Sequence, residues 1–542
     1  MKLDLRLFLF AALFLLKSAT TTAQNAPFDI YLEALDIPTL GGVQSFAYGQ
    51  YDGKWLIIGG RLDGLHRRQP FASFDVAGHN NQLLVIDPQT LQKWSAPLAS
   101  LPVGIREQLS ATNIQFYQEG SYLYLIGGYG YSATAADHVT YDQLTAVQVP
   151  EVIHAIVNGQ PMETYFRQIS DPVFTVTGGY LSKINHTYYL TGGQKFMGRY
   201  NPMGPTHGPG FVQEYTEQVR RFNLQDDGTL ITVQHLQAFT DSSVLHRRDL
   251  NVVAQILPDG RESITAFSGV FQKTVDFPYL NCVHIDSSGY SIQPDFNQYY
   301  NHYHCAVLPA YAAGSNEMHT VFFGGIAQFY DSLGVMVQDN NAPFVRTIAR
   351  VTRKADGTMT EYKLPVEMPS LLGAGSAFLP VESLPHYANK VLQLDEISAD
   401  TTMVGYIFGG ISSTAPNIFW VNNGTQSSAS SRIFKVFLVK NATTGAHQLN
   451  DQSRGYLQMK IFPNPGNGIF SVKFNLLRPE AQVILTITDA KGQTIKKEIL
   501  EHLAAGEHVI SRQFPQITVG NTYFVTIQSS DQRATLKTLV QD

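Results

Sequence analysis

Four clusters of chemically capable side chains recur along this 542-residue chain: Arg106-Glu107-Gln108, Arg167-Gln168, His246-Arg247-Arg248-Asp249 and His302-Tyr303-His304. Guanidinium forks match carboxylate, sulfate or phosphate in bidentate geometry. Arg106, Arg167 and Arg248 converging on one place would make an anion pocket, with Glu107 and Asp249 as compensating charges. Alternatively, each arginine pairs with an acid and ties two parts of the fold together. His302 and His304 are two apart, so on a strand both face the same way. Such a pair starts a metal site, and either imidazole can act as a general base. A third ligand is not identifiable, Asp249 and Glu107 being only candidates, so neither a metal nor a cofactor is assigned. The candidate catalytic residues are Glu107, Asp249 and His304. The candidate ligand contacts are Arg106, Arg167, Arg248, His302 and, from a Gly- and Pro-rich segment at 194–214, Arg199 and Tyr200. Long segments without regular structure commonly carry function, and Pro202, Pro205 and Pro209 would stiffen this one.

These residues must be positioned by something periodic. A short apolar run closing on a glycine pair recurs at Gly59-Gly60, Gly127-Gly128, Gly192-Gly193, Gly324-Gly325 and Gly409-Gly410, with a degenerate copy at Ser268-Gly269. Each run is rich in aromatic and β-branched residues and reads as a buried strand. The glycines need positive φ or close backbone approach. A unit repeated at long intervals indicates radial or linear repetition. An apolar stretch precedes each pair (Ser110 to Tyr117, for one). An alternating strand follows, such as Gln82 to Asp87 or Gln218 to Asn223, then a turn and an outer strand holding Trp94 in the first unit and Tyr362 in the fifth.

This pattern resembles the kelch repeat. The resemblance implies an all-β fold, a six-bladed kelch-type β-propeller, each blade with strands a to d from the axis outward. The sixth unit ends at its third strand, Ser431 to Val439, and Phe28 to Asp36 looks like the missing fourth. Closure by that N-terminal strand would protect the sheet edges. In such a ring, strand a lines a central channel. Arg106, Arg167, Arg248 and His302 or His304 lie about 20 to 25 residues before their glycine pairs, which aligns them with the starts of successive a strands.

Residues 1–24 read as a signal peptide, with Lys2 and Arg6 before an apolar core and small residues through Ala23. The core is too short to span a bilayer comfortably, and no second transmembrane candidate follows. The propeller is placed at 25–440 and a polar, aperiodic linker at 441–457. A small β-sandwich at 458–542 opens on Pro463-Asn464-Pro465, turns at Asp489 to Gly492 and ends Lys537-Thr538-Leu539-Val540. These motifs resemble the type A sorting domain of the Bacteroidetes type IX secretion system. The resemblance implies export across the outer membrane, contact with that machinery, removal of the domain, and a secreted or surface-attached product.

A net charge of −6 with few basic clusters argues against nucleic acid as a partner. Export permits a disulfide between Cys282 and Cys305, but their strands are not expected to be sheet neighbours, so two buried thiols are the expectation. The favoured function is capture of a glycan or protein ligand, acidic ligands included, on the loop and channel face. One alternative is carbohydrate-directed acid–base enzymology. Kelch propellers include sialic-acid mutarotases that use Arg, Glu and His near the channel, although no motif specific to them is present. Kelch copper radical oxidases carry a Cys–Tyr crosslink and His ligands, a pattern from which this chain departs. The other alternative is an adhesive scaffold with an empty channel. The fold does not choose among these.

Overall fold

The computed structural model describes residues 27–69, 71–204, 210–332, 335–440, 459–462, 469–476, 478–489, 493–513, 521–529 and 533–540. The expected signal peptide, the linker, Pro205 and Pro209 lie outside these residues. The chain divides into two compact units on either side of residue 443. Both are built of β-strands with few helices. Among the described residues no helix is long and apolar enough to cross a membrane.

Among the described residues the N-terminal unit holds six larger sheets, each with four antiparallel strands, that follow one another along the chain, and four two-stranded ribbons. The first is Ala47–Tyr51, Lys54–Ile58, Gln82–Asp87 and Gln92–Pro97, in that order. The second is Gln115–Glu119, Tyr122–Ile126, Gln143–Gln148 and Phe166–Ser170. Tyr180–Ile184, Thr187–Thr191, Gln218–Asp226 and Ile231–Thr240 form the third, and Asn251–Ile256, Glu262–Phe267, Cys282–Ile285 and Tyr290–Ile292 the fourth. The fifth contains Ala306–Ala312, Glu317–Ile326, Phe344–Arg353 and Met359–Glu367. In the sixth, Ser376–Pro380, Thr401–Gly409 and Ile433–Lys440 are completed by Phe28–Leu35, which pairs antiparallel with Ile433–Lys440 from the opposite end of the unit. The second strand of each sheet is buried over nearly its whole length, as the apolar runs require.

The glycine pairs join one sheet to the next. The second glycine of every pair donates its N–H to a carbonyl in the segment entering the following sheet: Gly60 to Ala111, Gly128 to Val176, Gly193 to Arg247, Gly269 to His302, Gly325 to Leu372, and Gly410 back to Val43, at 2.7 to 3.1 Å. The first glycine leaves no room for a side chain. Gly127 sits at φ 63°, and a Cβ there would lie 2.1 Å from the Val176 carbonyl oxygen. Ser268, the exception, holds φ 48° and donates its hydroxyl to the Tyr279 carbonyl at 2.7 Å.

A second set of bonds runs nearer the first strands. Asn113 N–H donates to Ser45 O, Ser45 to Gly375, Gly375 to His304, His304 to Asp249, and Asp249 to Gly178, at 2.7 to 3.0 Å. The Thr177 hydroxyl donates to Asn113 O at 3.3 Å, which returns to the start of the series.

Two connections depart from the simple repeat. Val103–Leu109 is a short helix leading into the second sheet. Val149–Asn158 is a helix between the third and fourth strands of that sheet. Pro150 in its first turn suits the missing N–H there, and Gly159 at φ 64° ends it in the left-handed conformation. Val149, Val152, Ile153 and Ile156 form its apolar stripe and join the core of the first and second sheets. Because this helix occupies the connection, the outer strand of the second sheet begins only at Phe166.

In the C-terminal unit, Lys460–Phe462, Ile469–Leu476 and Gly506–Gln513 form one sheet. Thr494–Leu503, Glu480–Asp489, Thr522–Gln528 and Arg533–Leu539 form another. Alternate residues Phe470, Val472 and Phe474 from the first meet Val483, Leu485, Ile487, Val525 and Ile527 from the second in one apolar core.

Candidate functional site

The ends of the first strands bring together Ser45, Asn113, Gly178, Asp249 and His304, which line a narrow space of about 30 Å³. That volume admits one or two waters and no sugar. Gly178 is required at its position: a Cβ would stand 2.9 Å from the Asp249 carboxylate.

Immediately beside this ring sits Arg248, whose backbone bridges Val270 just as Thr112 bridges Tyr129 and Thr177 bridges Gln194. It is the one expected arginine placed at the start of a first strand. Its guanidinium pairs with Asp249 and donates from Nε to the Tyr215 hydroxyl at 3.1 Å. It also lies over the Phe271 ring, 5.3 Å from the centroid. Burial works against its charge, and Tyr215, Asp249, Tyr303 and Tyr200 more than offset that cost, so Arg248 keeps its proton. Tyr215 in turn accepts the Phe271 N–H at 3.3 Å and stacks on His246 at 3.8 Å.

The loops after the glycine pairs build outward from here. Tyr200 packs against His66 at 4.8 Å, and against Phe196, Phe74 and Phe211. Arg199 ties its loop to the 61–80 loop, donating from Nε to Ser73 O at 2.8 Å and standing 3.6 Å from Asp75. Burial first, then Arg248, push the His66 pKa down to about 4. His304 is lowered too, by burial against the opposing pull of Asp249. Both imidazoles are therefore neutral at pH 7. Further out, Arg68 lies 4.3 Å over Trp420, which is 56% exposed, and its Nη1 is buried without a hydrogen-bond partner among the described residues.

Several expected residues lie elsewhere. Arg106 is exposed on the Val103–Leu109 helix rather than at the start of a strand. Arg167 is on the outermost strand of the second sheet, where its guanidinium makes a bidentate pair with Asp226 of the third sheet at 2.5 and 2.7 Å. Asp226 also accepts from Tyr124 and from Gly228 N–H, so this group is fully engaged. Glu107 accepts from Ser132 and Thr134; these bonds outweigh burial and lower its pKa. It therefore does not join Arg248 and His304 as the acid–base reading needed.

His302 and His304 precede their strand and do not share a face. His302 is fully buried, Nε2 donating to Gln298 O at 2.9 Å and Nδ1 accepting from Gln328 N–H at 3.1 Å. Burial lowers its pKa to about 4. Its two ring nitrogens are spent, which leaves no lone pair for a metal. Among the described residues no three His, Cys, Asp or Glu side chains are grouped to hold one. Cys282 and Cys305 are free, buried thiols in one apolar cluster, and burial pushes their pKa values up to about 11 and about 12.

Tyr215, Tyr303, His66 and Phe271 complete the site and were not singled out from sequence. Tyr303 lies between the two histidines and His66 in the first long loop, so both were near the right signal. Tyr215 and Phe271 carry no local signature.

Residues 460–541 match the Secretion system C-terminal sorting domain family. The protein is accordingly exported through the type IX secretion system and is secreted or held at the outer surface. No curated protein matches the chain. Among solved structures, one titled "Structure of YjhT" aligns over 75% of this chain and 99% of its own, at 10% identity and a TM-score of 0.40.

Proposed function

We propose that the mature protein is a six-bladed, kelch-type β-propeller that captures a glycan or protein ligand, acidic ligands included, on its loop face. Each of the six larger sheets of the N-terminal unit is one blade, Phe28–Leu35 closes the ring, and the two cyclic series of hydrogen bonds support that reading. Residues 1–24 act as the signal peptide, 25–440 as the propeller, 441–457 as a linker, and 458–542 as a type A sorting domain removed after export.

The observation that carries the binding assignment is the surroundings of Arg248. A desolvated cation stands among three phenols and one carboxylate beside neutral imidazoles, with the exposed Trp420 further out on the same loops. Donors and acceptors set against aromatic faces suit a hydroxylated or anionic ligand. The 30 Å³ axial space excludes a sugar from the channel itself, so the ligand contacts the loop face, through Arg248, Tyr200, Tyr215 and Tyr303.

The test is a thermal-shift screen of the secreted protein against acidic sugars. A ligand at a hundred times its dissociation constant adds about 2.7 kcal/mol to stability. A shift that disappears in Arg248→Ala supports the reading; one that persists there rejects it.

A further inference from the structure

The first strands have two ends, and the far one is built differently. Their hairpin turns at Glu119-Gly120 and Asn185-His186, with Glu262 of the next sheet, line a cavity of about 410 Å³. Residues between the first two strands of the sixth sheet cross over it. Lys390 donates to Gln118 O at 2.6 Å and lies 4.8 Å from the Tyr117 ring centroid. Asn389 donates to Gln255 O at 3.2 Å, and Leu392–Gln393 pairs parallel with Ala310–Tyr311 of the fifth sheet. The crossing segment is thus anchored to the second, fourth and fifth sheets, and the cavity is framed by secured backbone.

From this geometry we infer that the far end carries a second ligand site, for a neutral, hydroxyl-rich molecule of mono- to disaccharide size. The volume falls in the range of small-molecule pockets. The lining charges balance: Glu119 and Glu262 against Lys183 and Lys390. A lining without net charge exerts little long-range attraction on an ion, which favours a neutral ligand. Lys183 and Tyr188 already occupy Glu119. Glu262 is half-buried and makes no side-chain hydrogen bond or ion pair among the described residues. Its two oxygens can accept from adjacent hydroxyls, while Asn185, His186 and the lysines supply further polar groups. Burial, Glu119 and Glu262 hold the Tyr117 hydroxyl up at about 12, so it remains a neutral donor beside both carboxylates.

Calorimetry and ligand-observed NMR on the full secreted protein, with glucose, galactose, N-acetylglucosamine, maltose and lactose as probes, test this. The expected result is binding of at least one probe, weakened tenfold or more by Glu262→Gln and by the exposed-site variant His186→Ala, and unchanged in Arg248→Ala. Absence of binding by every probe up to about 10 mM, where affinity is negligible, overturns it. So does binding that Arg248→Ala abolishes and Glu262→Gln leaves intact, which would assign the sugar to the loop face instead.

Discussion

Arg167 and Arg248 both form arginine–aspartate pairs in the N-terminal unit, and their surroundings differ. Arg167 is held in a bidentate grip by Asp226, whose remaining lone pairs go to Tyr124 and Gly228, and the group spans two sheets. The Asp226 carboxylate has nothing left over to meet a ligand. Arg248 leans on the Asp249 next to it in sequence, donates from Nε to the Tyr215 hydroxyl and lies over the Phe271 ring, with Tyr200 and Tyr303 close by. An ion pair whose carboxylate is saturated within the fold secures two sheets; one assembled from loops is, on the proposed reading, the one that meets a ligand.

Substitutions at the two pairs should have different effects. The largest effect is expected for Asp226→Ala, which strands the half-buried Arg167 charge. Losing one partner of a buried pair costs about 3 to 5 kcal/mol, to be read by urea unfolding, with ligand capture by the folded protein unchanged. The same pair gives a pH signature. Burial alone would raise the Asp226 pKa, but Arg167 and the Gly228 N–H outweigh it and the carboxyl is depressed in the fold. Its contribution is complete above the ordinary aspartate range and disappears as pH falls below about 4 through the folded value. Asp226→Asn should flatten that limb of the stability curve.

His302 acts in a higher window. Its folded pKa of about 4 lies below the ordinary 6.5, so the unfolded chain takes up the proton first and stability falls between pH 6.5 and 4. A His302→Gln variant should show a smaller loss over that interval.

Arg248→Ala is expected to weaken ligand binding at least tenfold, about 1.4 kcal/mol; because it also leaves Asp249 without its partner, binding is read where the variant is folded. Tyr215→Phe removes one hydrogen bond to the guanidinium, worth roughly 1.5 kcal/mol or less, and should weaken binding without abolishing it. Arg106→Ala, at an exposed helix position, should alter stability by under about 0.5 kcal/mol and leave binding as it was.

The repeat was legible because its cause is local. Gly127 must be glycine for its φ and for the carbonyl 2.1 Å from a would-be Cβ, so the pair marks each sheet wherever it falls. Strand order followed from those marks, including the pairing of Phe28–Leu35 with Ile433–Lys440. The site was legible only in part. Counting back from the glycine pairs found Arg248, Asp249 and His304 because the entry to the fourth and fifth sheets is short. The same count misplaced Arg106 and Arg167, since a helix precedes the second sheet and the 149–158 helix delays its outer strand. Tyr215 and Phe271 reach Arg248 from separate loops, a convergence that no spacing in the chain encodes.

On the proposed reading Arg248 belongs to a ligand site and Arg167 does not. The most direct measurement is equilibrium binding of the wild type, Arg248→Ala and Asp226→Ala to one immobilised panel of acidic glycans, at a temperature where all three are folded. The account predicts capture of at least one glycan by the wild type and by Asp226→Ala, and loss of it in Arg248→Ala. Equal capture by Arg248→Ala, or loss confined to Asp226→Ala, would contradict it.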